Sequence, residues 1–195
     1  LLNEKGETLE QFSQRLNNVF LYGAEGLEVD EESQAFFENL ANGNFDEVKN
    51  YVDSKNINVN IPLIEGIDAT KPLSIVFSAA WLGKDKFSET FGSIFVFENI
   101  KDPKQSLPGL KELIFYLAAQ GADLQQKIAS FSYLTISFQI DPEITEFLLS
   151  FGFDPERDSE VLLFACEMGN KSLVKKFLEL GCKVDPKGLS TTPIM

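Results

Sequence analysis

The feature that most constrains this chain is an ending that recurs. "GCKVD" from Gly181 has relatives in "GFDPE" from Gly152, "GADLQ" from Gly121 and "NINVN" from Asn56. Each follows a run whose apolar residues fall three and four apart. These are Val48, Tyr51 and Val52; Leu110, Leu113, Ile114 and Leu117; Ile144, Phe147 and Leu148; and Leu173, Val174, Phe177 and Leu178. Such spacing gathers one apolar stripe on one face of a helix. A glycine or asparagine after the stripe suits the left-handed residue that closes a helix.

Ahead of three stripes the sequence predicts a first helix, in "SQAFFENLANGN", "KPLSIVFSAAWLGK" and "EVLLFACEMGN". Their last turns carry Ala41, Ala79, Ala80, Ala165 and Cys166, small residues that let a neighbouring helix come close. Gly43, Gly83 and Gly169 then stop them. Asn44 and Asn170 are expected to cap the second helices, with Glu47 as capping-box partner of Asn44. Asp141 and Pro142 take the N-cap and first-turn places in the third unit. A unit this small cannot bury its stripe alone, so the units are predicted to stack.

Helix, tight turn, helix and a Gly-Ala-Asp-like finger resemble the ankyrin repeat. The matching segments are "ACEMGNKSLVKKFLELGCKVD" and "KELIFYLAAQGADL", with "PLSIVFSAAWLGK" and a closing "STTPIM" similar to a Thr-Pro-Leu opening. The steps of 31 residues from Gly121 to Gly152 and 29 from Gly152 to Gly181 are near the family period of about 33. The resemblance covers residues 33–195 and implies an all-α, ankyrin-like solenoid of stacked helix-turn-helix repeats. The repeats are expected at 33–68, 69–127, 128–157 and 158–188, with a further one starting at 189–195. In the third, "SFSYLTISFQIDPEI" lacks the central glycine. Asn56 and Gly121 are 65 residues apart, and Gly83 and Gly109 both look like the glycine between two helices. The second repeat is therefore expected to carry an insertion, 84–108. Within it, "KFSETFGSIFVFENI" sets Phe87, Phe91, Ile94 and Phe95 on one face and predicts an extra helix, before the breaker-rich "KDPKQSLPG". Residues 1–32 are expected to form an N-terminal helical cap with a stripe of Leu9, Phe12, Leu16, Val19 and Phe20. The acidic "EVDEESQ" is expected to be a solvated connection.

Composition limits the chemistry. The 195 residues include 17 basic and 30 acidic ones, a net charge of −13, which repels nucleic-acid phosphates and anionic lipid; neither is an expected partner. No apolar run reaches the roughly 18 residues of a membrane helix, and the polar start "LLNEKGETLE" is not a secretory leader. The chain opens on Leu rather than Met, as expected of a segment excised from a longer protein. Histidine is absent, which excludes histidine-based triads, HExxH sites and imidazole acid-base work within these residues. The two cysteines, Cys166 and Cys182, form no CxxC pair; they are expected in core positions and in a reducing compartment. "DPERDSE" lacks the alternating ligands of a calcium loop. No enzymatic activity and no cofactor are expected.

The resemblance implies a protein-binding surface on the concave side of the stack. Two residues before the inter-helix glycine, or before Ile140 in its place, lie Ala41, Trp81, Phe138 and Glu167; exposed aromatics there are favoured anchors. Trp81 and Phe138 are read either as such anchors or as core beneath the Phe-rich insertion. Finger candidates are Glu65, Asp68, Gln125, Gln126, Arg157 and Asp158. The expected partner is another protein with a basic surface. The alternative is a non-catalytic scaffold of a larger enzyme or effector whose catalytic domain lies outside these residues. Diverged repeats of this kind also resemble those of bacterial effectors, implying a cytoplasmic location, the host cytosol for an effector.

Overall fold

The computed structural model describes residues 30–63, 68–91, 100–128, 131–151 and 160–184. The protein is all-α in character. Among the described residues there are eight α-helices, one 3-10 turn at Asp68–Thr70 and one pair of two-residue strands, β1 (Lys127–Ile128) and β2 (Phe131–Ser132). None of those helices is long and apolar enough to cross a membrane. The chain divides into two compact units between Phe131 and Ser132.

In the first unit α1 (Glu31–Ala41) and α2 (Phe45–Lys55) form a hairpin. The described part of "EVDEESQ" is solvated, with Asp30, Glu31 and Glu32 exposed, but it is a helix start rather than a connection: Asp30 caps α1 by accepting the Ser33 N–H at 2.9 Å. Glu31 and Glu32 form the first turn, where the helix dipole favours negative charge. That Ser33 N–H bond, and after it the one that the Ser33 hydroxyl donates to Asp30 Oδ2 at 2.7 Å, hold the Asp30 carboxyl below its usual range. Asn44 occupies the N-cap of α2 without capping it. Its own N–H is taken by the Asn39 carbonyl at 3.0 Å, so Glu47 has no capping-box donor to reach. Its side chain instead donates to Asn39 Oδ1 at 2.7 Å and accepts from Lys101 Nζ at 3.0 Å.

Helix α3 (Pro72–Phe91) is broken at Gly83, whose φ of 76° and ψ of 167° suit only glycine. Past the break Phe87 and Phe91 are buried against Phe37, with ring centroids 5.7 and 5.5 Å away. Ile94 and Phe95, the other half of that expected face, lie outside the described residues, as do the N-terminal stripe, the Gly152 ending and 189–195.

Gly109 is not a glycine between two helices. It lies inside α4 (Pro103–Ala119), where the breaker-rich segment supplies the first two turns, Pro108 included. Its purpose is close approach: a Cβ added there would sit 2.0 Å from the Gly43 carbonyl oxygen. Gly43, with φ of 66°, is jammed from the other side, its added Cβ falling 2.8 Å from the Leu110 nitrogen. The turn of the first hairpin and the second turn of α4 therefore touch backbone to backbone. Leu110, Leu113, Ile114 and Leu117 are all buried beneath this crossing.

The second unit holds α5 (Tyr133–Ser137), α6 (Pro142–Ser150), α7 (Glu160–Glu167) and α8 (Lys171–Glu179). Helix α5 is only five residues long, started by Ser132, whose hydroxyl accepts the Thr135 N–H at 3.2 Å. Its turn into α6 uses Phe138–Ile140 without glycine, closed by Ile140 and Asp141 N–H groups that both donate to the Ser137 carbonyl. Asp141 caps α6 through the Glu143 N–H at 2.8 Å, with Pro142 as the first helical residue. Asn170 caps α8 through Leu173 N–H at 3.1 Å.

Candidate functional site

The two glycine hairpins carry one backbone pattern. In α1–α2, Gly43 N–H donates to the Leu40 carbonyl, Asn44 N–H to Asn39, Phe45 N–H to Gly43 and Val48 N–H to Asn44. In α7–α8, Gly169 N–H donates to Cys166, Asn170 N–H to Ala165, Lys171 N–H to Gly169 and Val174 N–H to Asn170. Every donor and acceptor corresponds at one constant shift along the chain, and Gly43 and Gly169 have φ of 66° and 64°.

The recurring endings match as well. Ile57, Ala122 and Cys182 each donate their N–H to the carbonyl five residues earlier, Val52, Leu117 and Phe177, past a residue of positive φ: Asn56, Gly121 or Gly181. This bond closes a Schellman-type helix end. In the first unit two of these fingers are joined side by side. Asn60 Nδ2 donates to the Gly121 carbonyl at 2.9 Å while Asn60 Oδ1 accepts the Asp123 N–H at 2.8 Å. Each finger is also turned by an Asx bond: Asn58 Oδ1 accepts from Asn60 N–H, and Asp123 Oδ1 from Gln125 N–H. Asn60 is a residue that the sequence reading missed. Asn60→Ala removes both bonds between the fingers and is expected to cost about 1–2 kcal/mol, at about 1 kcal/mol per net hydrogen bond; urea unfolding followed by fluorescence checks it.

The expected contact residues fall in different settings. Trp81 is partly buried in α3 of the first unit, and Phe138 is partly buried in the second, where its ring lies 5.5 Å from that of Phe177. Glu167 is exposed at the end of α7, while Ala41, its counterpart in α1, is buried. Asp68 is exposed and pairs with Lys71 at 2.8 Å. Gln125 is exposed on the second finger and Gln126 partly buried. Glu65, Arg157 and Asp158 lie outside the described residues. The cysteines separate: Cys182 is buried, but Cys166 is only partly so and is not a core residue.

A charged cluster joins the second helices of the first unit. Tyr116 of α4 donates its hydroxyl to Asp53 Oδ1 at 2.8 Å, Asp53 pairs with Lys49, and the Lys49 ammonium lies 5.7 Å from the centre of the Tyr116 ring. Phe45 meets that ring edge to face at 5.6 Å. Burial, then the hydrogen bond to Asp53, push the phenol up to about 12. The Lys49 hydrogen bond and then that of Tyr116 hold the Asp53 carboxyl below its usual range. Both groups are thus fixed in their resting forms at neutral pH, an arrangement for packing rather than for proton transfer.

A phenol raised above its unfolded value favours the folded state while protonated. Its contribution is complete below about pH 10 and is lost as pH rises through about 12. In Tyr116→Phe, phenolate absorbance near pH 12 should lose one tyrosine equivalent, and the alkaline fall in stability should become shallower over that window.

Two open grooves flank the glycine hairpins. One, of about 580 Å3, runs along α1 and α2 past Phe36 and Tyr51, whose rings stack at 4.4 Å, with the Lys55–Glu32 pair at its rim. The other, of about 610 Å3, runs along α7 and α8 past Cys166, Val174 and Leu178. No family model, curated protein or solved structure matches the chain.

Proposed function

We propose that this chain is a protein-binding module built from ankyrin-type repeats, taking its partner on the side presented by the ends of its first helices and by its fingers. The observation that supports this reading is the recurrence, bond for bond, of the Gly43 hairpin at Gly169, together with the shared endings at Asn56, Gly121 and Gly181. A repeated backbone frame holds its contact residues in place before binding, so association costs little ordering entropy while the residues at the edges remain free to differ. The acidic chain, with 30 carboxylates against 17 basic residues, favours a partner with a basic surface.

Affinity capture from cytosolic lysate tests the proposal, comparing the parent with Trp81→Ala and with Glu167→Lys, each shown folded by circular dichroism and melting. The expected result is a specific set of retained proteins that either variant loses in large part. Identical retention by all three chains overturns the placement of the surface, and absence of any specific retention counts against the binding reading itself.

A further inference from the structure

The pair Asn42–Gly43 is the one Asn-Gly step in the sequence, and it stands where α4 crosses the turn of the first hairpin. In an open chain such a step modifies itself, because a glycine without a Cβ lets its backbone nitrogen reach the side-chain carbon of the asparagine before it. In the fold both partners of that reaction are held apart. Asn42 is 6 % exposed, its backbone is helical at φ of −88° and ψ of −4°, and its Oδ1 accepts the Lys101 N–H at 2.8 Å. Gly43 N–H is engaged with the Leu40 carbonyl. The same residue is walled by the Ser106 carbonyl oxygen and the Leu110 nitrogen, 2.9 and 2.8 Å from where a Cβ would stand. Ring closure requires the Asn42 ψ to leave the helical region and its amide carbon to turn onto the Gly43 nitrogen. The Lys101 bond and the α4 backbone against Gly43 oppose both movements.

We infer that Asn42 is a deamidation site gated by α4, and that the reaction, once it has run, locks α4 out. When α4 withdraws, the Lys101 N–H leaves Asn42 and the turn is uncovered in one step, a local opening that does not need the rest of the chain to unfold. The Gly43 nitrogen gives up its proton and bonds to Asn42 Cγ, the Cγ–Nδ2 bond breaks, and the amide departs as ammonia carrying that proton. The succinimide then takes up one water. Opening at Cγ gives aspartate, which keeps an acceptor for the Lys101 N–H but buries a charge. Opening at the main-chain carbonyl carbon gives isoaspartate, whose backbone runs through the former side chain, one methylene longer, and leaves a carboxylate beside it. A turn with no room for a Cβ on Gly43 has none for that insertion. The site depends on the crossing alone, so it stands or falls separately from the proposed binding function.

The whole chain, held at neutral pH and sampled over days, tests this. Peptide mass spectrometry follows loss of the Asn42 amide and enzymatic methylation counts isoaspartate, with an unfolded peptide of residues 36–48 as reference. The parent is expected to react at least about a hundredfold more slowly than the peptide. Gly109→Ala, which forces α4 away from Gly43, should speed the reaction at least about tenfold, and Tyr116→Phe, which only releases α4 from Asp53, about threefold to tenfold. Ile144→Ala, a core truncation in the second unit, should leave the rate unchanged. In chain that has accumulated isoaspartate at position 42, the urea midpoint read by Trp81 fluorescence should fall below that of the parent. A parent as fast as the peptide, equal rates in the parent and both α4 variants, or the same acceleration by Ile144→Ala overturns gating by α4. A modified chain with the parental midpoint overturns the lock.

Discussion

Gly109→Ala is expected to destabilise the first unit by about 3 kcal/mol, although the same change in the middle of an exposed helix normally stabilises by about 1 kcal/mol. The reversal of sign is the useful part. An added Cβ would sit 2.0 Å from the Gly43 carbonyl oxygen and 3.0 Å from its carbon, and neither can give way, because Gly43 itself is held at φ of 66° between α1 and α2. Helix α4 has to withdraw. Doing so uncovers Leu110, Leu113 and Ile114, and it strains the hydrogen bond from Lys101 N–H to Asn42 Oδ1, 2.8 Å long, and the Lys101–Asn44 contact that pin the same crossing. Trp81 is the only tryptophan of the chain and belongs to this unit, so its fluorescence in a urea titration reads the loss directly. A midpoint equal to or above that of the parent would mean that α4 does not cross at Gly43.

The second large effect belongs to Phe37. Its ring is fully buried in α1 and packs against both Phe87 and Phe91 of the helical segment beyond Gly83, whose own rings lie 4.8 Å apart. Phe37→Ala removes the ring and leaves a cavity lined by two other rings that cannot collapse onto a methyl group. The expected cost is about 3–5 kcal/mol, the usual range for an aromatic residue truncated in a core. Phe87→Ala should cost a similar amount. The two losses together should be smaller than their sum, since each ring is a wall of the other's site. Urea midpoints for the two single variants and the double variant check both statements. Strict additivity would show that the segment after Gly83 is not packed on the first hairpin.

What the sequence revealed, and what it concealed, divides along the range of the interactions. The endings at Asn56, Gly121 and Gly181 were legible because a helix that stops in a left-handed residue needs glycine or asparagine at that one position, a local requirement. The stripe of Leu110, Leu113, Ile114 and Leu117 was legible because burial on one face forces the spacing of the residues themselves. Gly109 was misread because a glycine beside a proline signals a chain break locally, whereas its use here depends on the Gly43 carbonyl far away in sequence. Helix α5 went unrecognised because five residues started by Ser132 and ended without glycine carry too little periodicity to register. Asn44 has the composition of an N-cap and does another job, because the Asn39 carbonyl already serves its N–H and Lys101 competes for its oxygen.

The candidate site was less legible than the frame. Asn60 reads as one loop asparagine among several, and nothing nearby indicates that its amide will join two fingers. The stripe of Leu173, Val174, Phe177 and Leu178 reads as uniform core, yet only Phe177 is buried. A stripe records that a face is apolar, not whether anything described covers it. Trp81 and Phe138 are both partly buried and fall in different units, a difference of setting that their matching places in the repeat pattern do not reveal.

One hairpin and one ending recur along the described chain, and native-state hydrogen exchange measured by NMR tests that recurrence most directly. Five amides, those of Asn44, Ile57, Ala122, Asn170 and Cys182, donate to carbonyls five residues earlier. All five should exchange at least about a hundredfold more slowly than in an unfolded peptide. Protection at Asn44 with free exchange at Asn170, or protection at Ala122 without it at Ile57 and Cys182, would mean that the hairpins and endings are unrelated turns, and the repeat reading would fall with them.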